Sequence, residues 1–255
     1  MKKHYYKIFI TAGLFLFLTS CVSSKKMVYF QNSGEKISKE ILQNYEPTIE
    51  PDDLLTINVS AIDAEAALPF NLYETPIIGN FGSNTKPLKY LVNTTGEIDF
   101  PILGILKVAG FTTKELSERI KALLKDYLKS PTVTIRLVNF KVTVLGDVKS
   151  PGAYTIPSER ITIIEALGLA GDLQLQGNRK TVLLVREKDG ERMYVTIDLT
   201  TKKLFSSPYY YLVQNDVLYV APNKAKINSS AVGANSGIII SSISTLIALI
   251  AILTR

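Results

Sequence analysis

The sequence has few of the residues on which many enzymes and metal sites depend. Its 255 residues include one cysteine, Cys21, one histidine, His4, and no tryptophan. A single cysteine excludes a disulfide within the chain. One cysteine and one histidine, both near the N-terminus, provide neither a Ser-His or Cys-His nucleophile pair nor the ligand set of a zinc site. We therefore expect a protein that is not an enzyme and that has no cofactor and no metal site.

Phosphate-binding loops are absent too, and the charge is nearly balanced. Neither a GxxxxGK[ST] nor a GxGxxG motif occurs. The formal net charge is +6, but three of the positive charges are Lys2, Lys3 and Lys7. Without them the chain has 26 basic and 23 acidic residues. This composition does not indicate nucleic-acid binding, and 46% hydrophobic with 20% charged residues is typical of a folded chain.

The first twenty residues have the pattern of a bacterial secretion signal. Three lysines precede an apolar run over residues 8–18, which is too short to cross a bilayer comfortably. The run ends in Leu18, Thr19, Ser20 and Cys21, which resembles the lipobox of a bacterial lipoprotein. We expect residues 1–20 to be removed, Cys21 to be lipidated, and residues 21–44 to form a tether. An ordinary signal peptide with an incidental cysteine is the alternative.

Residues 45–138 have the pattern of a first α+β domain. Leu55, Ile57 and Val59 alternate with polar neighbours, which predicts a strand. Residues 63–86 show neither helical nor strand periodicity, which predicts a long loop. A capping box at Thr112 and Glu115 begins a helix whose apolar positions continue to Leu128. Further strands are expected near residues 90–92, 98–101, 106–109 and 133–137.

Residues 139–222 have the pattern of a second, smaller α+β domain. A turn at Pro151 and Gly152 separates two apolar alternations and predicts a hairpin. A second capping box, at Thr162 and Glu165, begins a short helix that ends at Gly171. Strands are expected over residues 182–186, 194–199 and 217–220. A hairpin, a helix and further strands within about eighty residues are typical of a small β-grasp-like domain.

The C-terminal region is long and uncharged. Residues 227–254 contain no charged side chain, and after a linker over residues 223–233 we expect a transmembrane helix over residues 234–254. Small side chains recur on one stripe of it, where helices could pack closely or line a pore. The alternative is a plain anchor. The stripe residues are Ala234, Gly237, Ser241, Ser244, Ala248 and Ala251, and the pore-facing side would carry Ser241, Ser244 and Thr245.

Three motifs in the two domains resemble those of one known family. They comprise Tyr45, Pro51 and Asp53 before the first strand, then Gly96, Pro101, Gly104 and Gly110, and finally Gly146, Pro151 and Gly152 at the start of the second domain. Together they resemble the polysaccharide export family of Gram-negative outer-membrane lipoproteins, which secrete capsular polysaccharide and exopolysaccharide. In the first motif Asp52 stands where the family usually has glycine.

The resemblance implies a fold and a mode of action. The fold is α+β, a polysaccharide export domain followed by one soluble-ligand-binding β-grasp domain and a C-terminal transmembrane helix. Copies would assemble head to tail into a homo-oligomeric ring in the outer membrane, and their C-terminal helices would form a pore. The implied partners are the polysaccharide substrate and an inner-membrane polysaccharide co-polymerase or chain-length regulator.

Other interpretations of the same residues remain open. The chain could be a monomeric glycan-binding lipoprotein of the cell surface. A carboxylate-based glycosidase would need a pair such as Glu187 with Asp189, or Asp52 with Asp53. The motif glycines could serve turns alone. Tyr45, Tyr154 and Tyr209 to Tyr211 could stack on sugars or cover core edges, and Asp147 and Arg160 could be interface or solvated charges.

Overall fold

The structure is a computed structural model that describes residues 27–31, 46–73, 86–188, 190–232 and 236–253. Cys21, Tyr45, Ala234 and Asp189 lie outside these residues. The described part contains two hydrophobic cores. One comprises residues from Ile49 to Ile135 and the other residues from Phe140 to Val220, and Leu137 packs against both. The α+β character predicted for the chain is confirmed.

The first domain is built on a three-stranded antiparallel sheet in the order β2-β1-β5. Leu55, Ile57 and Val59 of its central strand are buried. Helix α2 buries Leu116 and Ile120 in the same core, and the alternation and the capping box predicted these two elements. The bounds are β1 Leu54–Ser60, β2 Lys89–Leu91, α2 Thr113–Leu124 and β5 Thr132–Leu137.

Two details of this domain differ from the sequence-based expectation. Residues 64–70, expected to be loop, form helix α1 at Ala64–Ala67 and a 3-10 turn at Leu68–Phe70. The Asp63 carboxylate accepts hydrogen bonds from two backbone N–H groups and so starts the helix. Helix α2 ends at Leu124 instead of continuing to Leu128, and Tyr127 is 57% exposed. A separate hairpin is formed by β3 Glu97–Phe100 and β4 Gly104–Lys107.

The second domain is built on a five-stranded mixed sheet in the order β10-β9-β12-β6-β7. Strands β6 and β7 form the predicted hairpin, and helix α3 begins at the predicted capping box. The short strands β8 and β11 pair beside it. The bounds are β6 Lys141–Gly146, β7 Gly152–Thr155, β8 Ile161–Thr162, α3 Ile163–Leu169, β9 Gly177–Lys188, β10 Glu191–Ile197, β11 Tyr211–Leu212 and β12 Val217–Pro222.

Strand direction gives the second domain two distinct ends. Strand β6 begins at Lys141, beside the first domain, and runs for six residues, or about 20 Å. Strand β12 is parallel to β6, and β9 is antiparallel to β12. We call the end with Lys141, Lys188 and Gln214 the junction pole. The end with Gly146 and Gly177 is the far pole, and β12 leaves the sheet there.

A short N-terminal segment packs against the second domain. Residues 27–31, which the sequence assigns to a tether, include Gln31, which forms a parallel bridge with Thr201. The backbone N–H of Gln31 donates to the carbonyl of Thr200 at 2.7 Å. We call residues 27–31 the strap.

Two helices follow the second domain, α4 at Lys224–Val232 and α5 at Ser236–Leu253. Within the described part of the chain, no helix is both long enough and apolar enough to cross a membrane. The transmembrane helix predicted over residues 234–254 is therefore not supported.

Candidate functional site

The first motif forms a tight turn that ties strand β2 to the start of β1. Asp52 has a φ of +69°, so it adopts the left-handed conformation for which glycine is usually chosen. Its backbone N–H donates to the carbonyl of Val92 at 2.9 Å, and the Val92 N–H donates to the carbonyl of Asp53. Aspartate tolerates this conformation better than most residues. The turn therefore persists without the family's glycine, and Pro51 lies in it, exposed.

Asp53 is the most perturbed carboxylate of this region. Its side chain is 1% exposed, and Oδ2 accepts the Glu50 N–H at 2.9 Å. Among the described residues, Oδ1 has no hydrogen-bond partner. Burial raises the pKa of Asp53 to about 6, although the hydrogen bond from Glu50 opposes that shift. Asp53 is thus a buried carboxylic acid whose charge changes as the pH passes through about 6.

The second motif shapes the β3-β4 hairpin and its exit. Gly96, Gly104 and Gly110 all have positive φ. A Cβ on Gly96 would lie 2.5 Å from Cβ of Ala109, whereas nothing lies within 4 Å of a Cβ on Gly104. Pro101 begins the hairpin turn, with its carbonyl accepting the Leu103 N–H. These residues set backbone geometry, as the turn interpretation expects.

The third motif brings two strands into very close approach at the far pole. Gly146 has a φ of +89°, and a Cβ there would lie 2.1 Å from the carbonyl oxygen of Val220. The adjacent Asp147 N–H donates to that same oxygen at 2.8 Å. Pro151 and Gly152 differ, because they lead into β7 and a Cβ on Gly152 would meet open space. Asp147 is 5% exposed and forms an ion pair with Lys226, so it is not a solvated charge.

The two domains meet around Asn139, a residue that the sequence marked only as a domain boundary. Its Oδ1 accepts the Leu54 N–H and its Nδ2 donates to the carbonyl of Asp52, both at 2.9 Å. Its own carbonyl accepts Nε2 of Gln214 at 2.9 Å. One asparagine therefore binds the first motif of the first domain and the junction pole of the second.

A cleft of about 280 Å³ lies at this junction. Asp53 contributes to its wall from the first domain, and Arg186 contributes from the second. The Arg186 guanidinium binds Asp216 through two hydrogen bonds, of 3.0 and 2.7 Å, and lies 5.6 Å from the ring centroid of Tyr209. Seven of the twelve lining residues carry a charged or amide side chain, so the cleft can hold water or a polar group. The lining residues include Glu46, Glu50, Leu137, Phe140, Glu187, Lys188 and Gln214.

Of the two carboxylate pairs proposed for a glycosidase, the structure describes both members of one, Asp52 with Asp53. Asp53 is buried while its neighbour Asp52 is exposed. Glu187 forms an ion pair with Arg192 at 3.1 Å, and its proposed partner Asp189 lies outside the described residues. In the part of the chain that the structure describes, no group of three His, Cys, Asp or Glu side chains is arranged to hold a metal ion.

Three of the candidate tyrosines lie at the edge of the second core. Tyr154, Tyr209 and Tyr210 pack against the core of the second domain. The guanidinium of Arg160 lies 5.6 Å from the ring centroid of Tyr211. Tyr154, Tyr209 and Tyr210 thus cover the edge of a core, and the roles of Tyr45, Tyr211 and Arg160 stay predictions.

On helix α5 the hydroxyl groups are internally bonded. Ser241 donates to the carbonyl of Ile238, Ser244 to that of Ile240, and Thr245 to that of Ser241, at 2.8 to 2.9 Å. All three are exposed, as are Gly237 and Ala248. The side chain of Ala251 is not described. Whether this stripe lines a pore stays a prediction.

Comparison with protein families identifies the two domains. Residues 42–138 match the model of the polysaccharide biosynthesis/export protein, and residues 141–196 match that of the SLBB domain. The chain belongs to the polysaccharide export protein family. Members of this family are export proteins and not enzymes, in agreement with the sequence-based expectation. The two matches meet at Asn139, between the domains that its side chain joins.

Similar proteins agree with this membership. The chain is 36% identical over 101 residues to the EPS I polysaccharide export outer membrane protein EpsA of Ralstonia solanacearum, covering 38% of this chain and 27% of that protein. It is 33% identical over 121 residues to the EpsA protein of Ralstonia nicotianae, covering 46% and 32%. The exopolysaccharide production protein ExoF of Rhizobium meliloti is 27% identical over 93 residues, covering 35% and 22%. The matched regions thus span about a third or less of these relatives.

Proposed function

We propose that the chain is a subunit of an outer-membrane complex that exports capsular polysaccharide or exopolysaccharide. The two family matches in series support it, as do relatives named for polysaccharide export. In this proposal copies form a homo-oligomeric ring, the lipid on Cys21 holds the ring to the outer membrane, and an inner-membrane co-polymerase or chain-length regulator delivers the glycan. The chain makes and breaks no bond.

The observation that carries the ring proposal is the exposure of helix α5. The seven large apolar side chains whose exposure is described are 54% to 74% exposed in a single copy. An apolar surface of this extent is stable only when other apolar groups cover it. Helices α5 from neighbouring copies would cover one another along the small-residue stripe of Gly237, Ser241 and Ser244. The helices so gathered would make the pore through which the polymer leaves. The exposed side chains are Ile238, Ile240, Ile243, Leu246, Ile247, Leu249 and Ile252.

Oligomeric state tests the proposal directly. Full-length protein extracted from membranes in mild detergent is weighed by mass photometry and imaged by electron microscopy. We expect closed rings. A chain ending at Pro222 is expected to keep the circular dichroism of its two domains but to fail to restore surface polysaccharide in a deletion strain. A solitary full-length protein would favour the monomeric glycan-binding alternative, and normal export by the truncated chain would refute the pore.

A matched pair of helix variants separates close packing from mere hydrophobicity. Ser241→Leu with Ser244→Leu fills the small-residue stripe, and we expect it to break the rings and reduce export at least tenfold. Ile240→Leu with Ile247→Leu changes exposed apolar positions at similar volume, and we expect rings and export to persist. Equal behaviour of the two pairs would contradict packing through the stripe.

A further inference from the structure

The strap is held at the far pole by specific side-chain contacts. The Tyr29 hydroxyl donates to Oδ1 of Asp172 at 2.5 Å, across 143 positions of sequence. The guanidinium of Arg179 lies 5.2 Å from the Tyr29 ring centroid. Arg179 is itself buried, and its Nη1 donates to the carbonyl of Gly177 at 3.1 Å. The ring is therefore seated between fixed partners.

The residue after Tyr29 adds backbone and aromatic contacts. The Phe30 N–H donates to the carbonyl of Leu199 at 3.3 Å, and its ring centroid lies 5.0 Å from that of Phe205. Together with the bridge between Gln31 and Thr201, these contacts tie the strap to the chain that leaves β10 at the far pole. Neither family model includes the strap.

The C-terminal helices leave from the same pole. The Asn223 N–H donates to the carbonyl of Gln176 at 2.7 Å, which holds the start of α4 against the loop before β9. Lys226 of α4 forms an ion pair with Asp147, which follows β6. The strap and the start of helix α4 therefore both lie at the far pole.

The exposed surface between these two exits combines cations with an apolar tip. Leu175, in the loop before β9, is 70% exposed. The acidic side chains nearby are already bonded: Asp147 to Lys226, Asp172 to Tyr29 and Asp198 to Thr200. An exposed leucine among lysines is typical of a surface that meets anionic headgroups. The lysines of the segments that meet at the far pole are Lys149, Lys180, Lys202, Lys203 and Lys224, besides Lys226, which is paired with Asp147.

The length of the chain limits how far a lipid on Cys21 could lie from this surface. Six residue steps separate Cys21 from Met27, and at about 3.5 Å per step they span at most about 21 Å. An acyl chain on Cys21 would thus enter the membrane within that distance of the strap.

We propose that the far pole is a docking surface for anionic phospholipid headgroups, on which the strap fixes the lipidated N-terminus beside helix α4. Leu175 enters the boundary between headgroups and acyl chains, and the surrounding lysines bind phosphates. The inference rests on the proposed function only in taking Cys21 as lipidated. It is independent of the ring.

The absence of tryptophan allows a direct test. Leu175→Trp places a single probe at the far pole, and Ile105→Trp places one on the first domain at a site of matching exposure, 72% against 70%. Full-length lipidated protein is reconstituted into vesicles of phosphatidylethanolamine and phosphatidylglycerol with brominated acyl chains. We expect at least twofold stronger quenching of the Leu175→Trp probe. Equal quenching, or stronger quenching at Ile105→Trp, overturns the proposal.

Charge reversal separates headgroup binding from mere proximity. In the Leu175→Trp protein, Lys149→Glu with Lys203→Glu at the far pole is expected to halve the quenching. Lys141→Glu with Lys188→Glu at the junction pole is expected to leave it unchanged. Quenching that the far-pole reversal does not alter would overturn headgroup binding.

Strap seating is tested without any lipid. In a Cys21→Ser protein, Gln31→Cys with Thr201→Cys is expected to form a disulfide under mild oxidation, and Gln31→Cys with Thr95→Cys is not. Failure of the first pair overturns the strap. The two proposals can fail separately. A monomeric protein with strong Leu175→Trp quenching would reject the ring and support the docking surface. Rings with equal quenching at the two probes would support the ring and reject the docking surface.

Discussion

At the scale of single residues, Gly146 illustrates how a family motif acts through backbone geometry. Its φ of +89° and the 2.1 Å approach of a Cβ to the Val220 carbonyl both exclude a side chain. The motif residue thus allows β6 to end against β12, and it has no contact that suggests a ligand. Gly146 therefore acts by allowing the close approach of the two strands at the far pole.

Three glycine substitutions should separate clash from conformational strain. Gly146→Ala suffers both, and we expect it to lower the free energy of unfolding by about 3 to 5 kcal/mol. Gly104→Ala suffers strain alone, because nothing lies near its Cβ, and should cost about 1 to 2 kcal/mol. Gly152→Ala suffers neither and should stay within about 0.5 kcal/mol. Urea unfolding measures all three, and equal losses would contradict the close approach.

Asp53 makes stability depend on pH in an unusual direction. Its pKa is about 6 in the folded chain against 3.8 as an ordinary value, so the folded state binds the proton more tightly. The free energy of unfolding therefore falls as pH rises from about 4 to about 6, by at most about 3 kcal/mol, and levels off above. Burial raises the pKa of Asp216 as well, which adds a slope of the same sign.

We expect Asp53→Asn to flatten this slope, because asparagine keeps an acceptor for the Glu50 N–H but carries no charge. Unfolding by urea at pH 4.5 and pH 7.5 gives the comparison. An exposed carboxylate of the same domain provides the control, since Asp99→Asn should preserve the wild-type slope. If Asp53→Asn retained the full dependence, the buried carboxyl would not be its source.

At the scale of elements, the two capping boxes decide where helices α2 and α3 begin. In α2 the Thr112 hydroxyl accepts the Glu115 N–H at 3.1 Å, and the Glu115 carboxylate accepts the Thr112 N–H at 2.9 Å. The pair in α3 repeats this arrangement at Thr162 and Glu165. The arrangement is local, so four consecutive residues suffice to specify it.

Removing one cap should weaken its helix measurably. Thr112→Ala loses the acceptor for the Glu115 N–H, and we expect a loss of about 1 kcal/mol in the free energy of unfolding. Lys114→Ala, on the exposed side of the same first turn, should be within about 0.5 kcal/mol of wild type. Thermal unfolding monitored at 222 nm provides the measurement. A Thr112→Ala protein as stable as the wild type would show that packing alone fixes the helix start.

Elements specified by local pattern were predictable, and those specified by distant contacts were not. The strand of Leu55, Ile57 and Val59 and both capped helices follow from spacing within a few residues. The turn of helix at residues 64–67 is too short to show a period and depends on the single cap Asp63. The sequence assigns the strap to a tether, because five residues carry no pattern and their partners lie more than 140 positions away.

The same distinction applies to the candidate site. The motif glycines were identifiable, since positive φ and turns leave a mark in sequence. The role of Asn139 was not, because its partners Leu54, Asp52 and Gln214 lie about 75 to 87 positions away. Asparagine is common at turns and boundaries, so its residue type alone gave no signal.

At the scale of the whole molecule, Asn139 sets how firmly the two domains are joined. We expect Asn139→Ala to remove both hydrogen bonds to the first domain and to lower the free energy of unfolding by about 1 to 3 kcal/mol. It should also separate the unfolding of the two domains in calorimetry and speed proteolysis between them. Asn58→Ala, at an exposed position of β1, is the control. A single unchanged transition would show that other contacts hold the junction.

The position of β12 in its sheet has a consequence for the order in which the chain folds. This strand, almost the last of the second domain, lies between β9 and β6. On a chain that emerges N-terminus first, one edge of β6 and one edge of β9 stay unpaired until residues near 220 have been synthesised. The bridge between Gln31 and Thr201 spans a still longer stretch of sequence. Such late closure of distant pairs slows folding and leaves unpaired edges open to aggregation. A holdase that shields nascent β edges would therefore raise the yield of this protein more than that of one whose neighbouring strands pair in sequence.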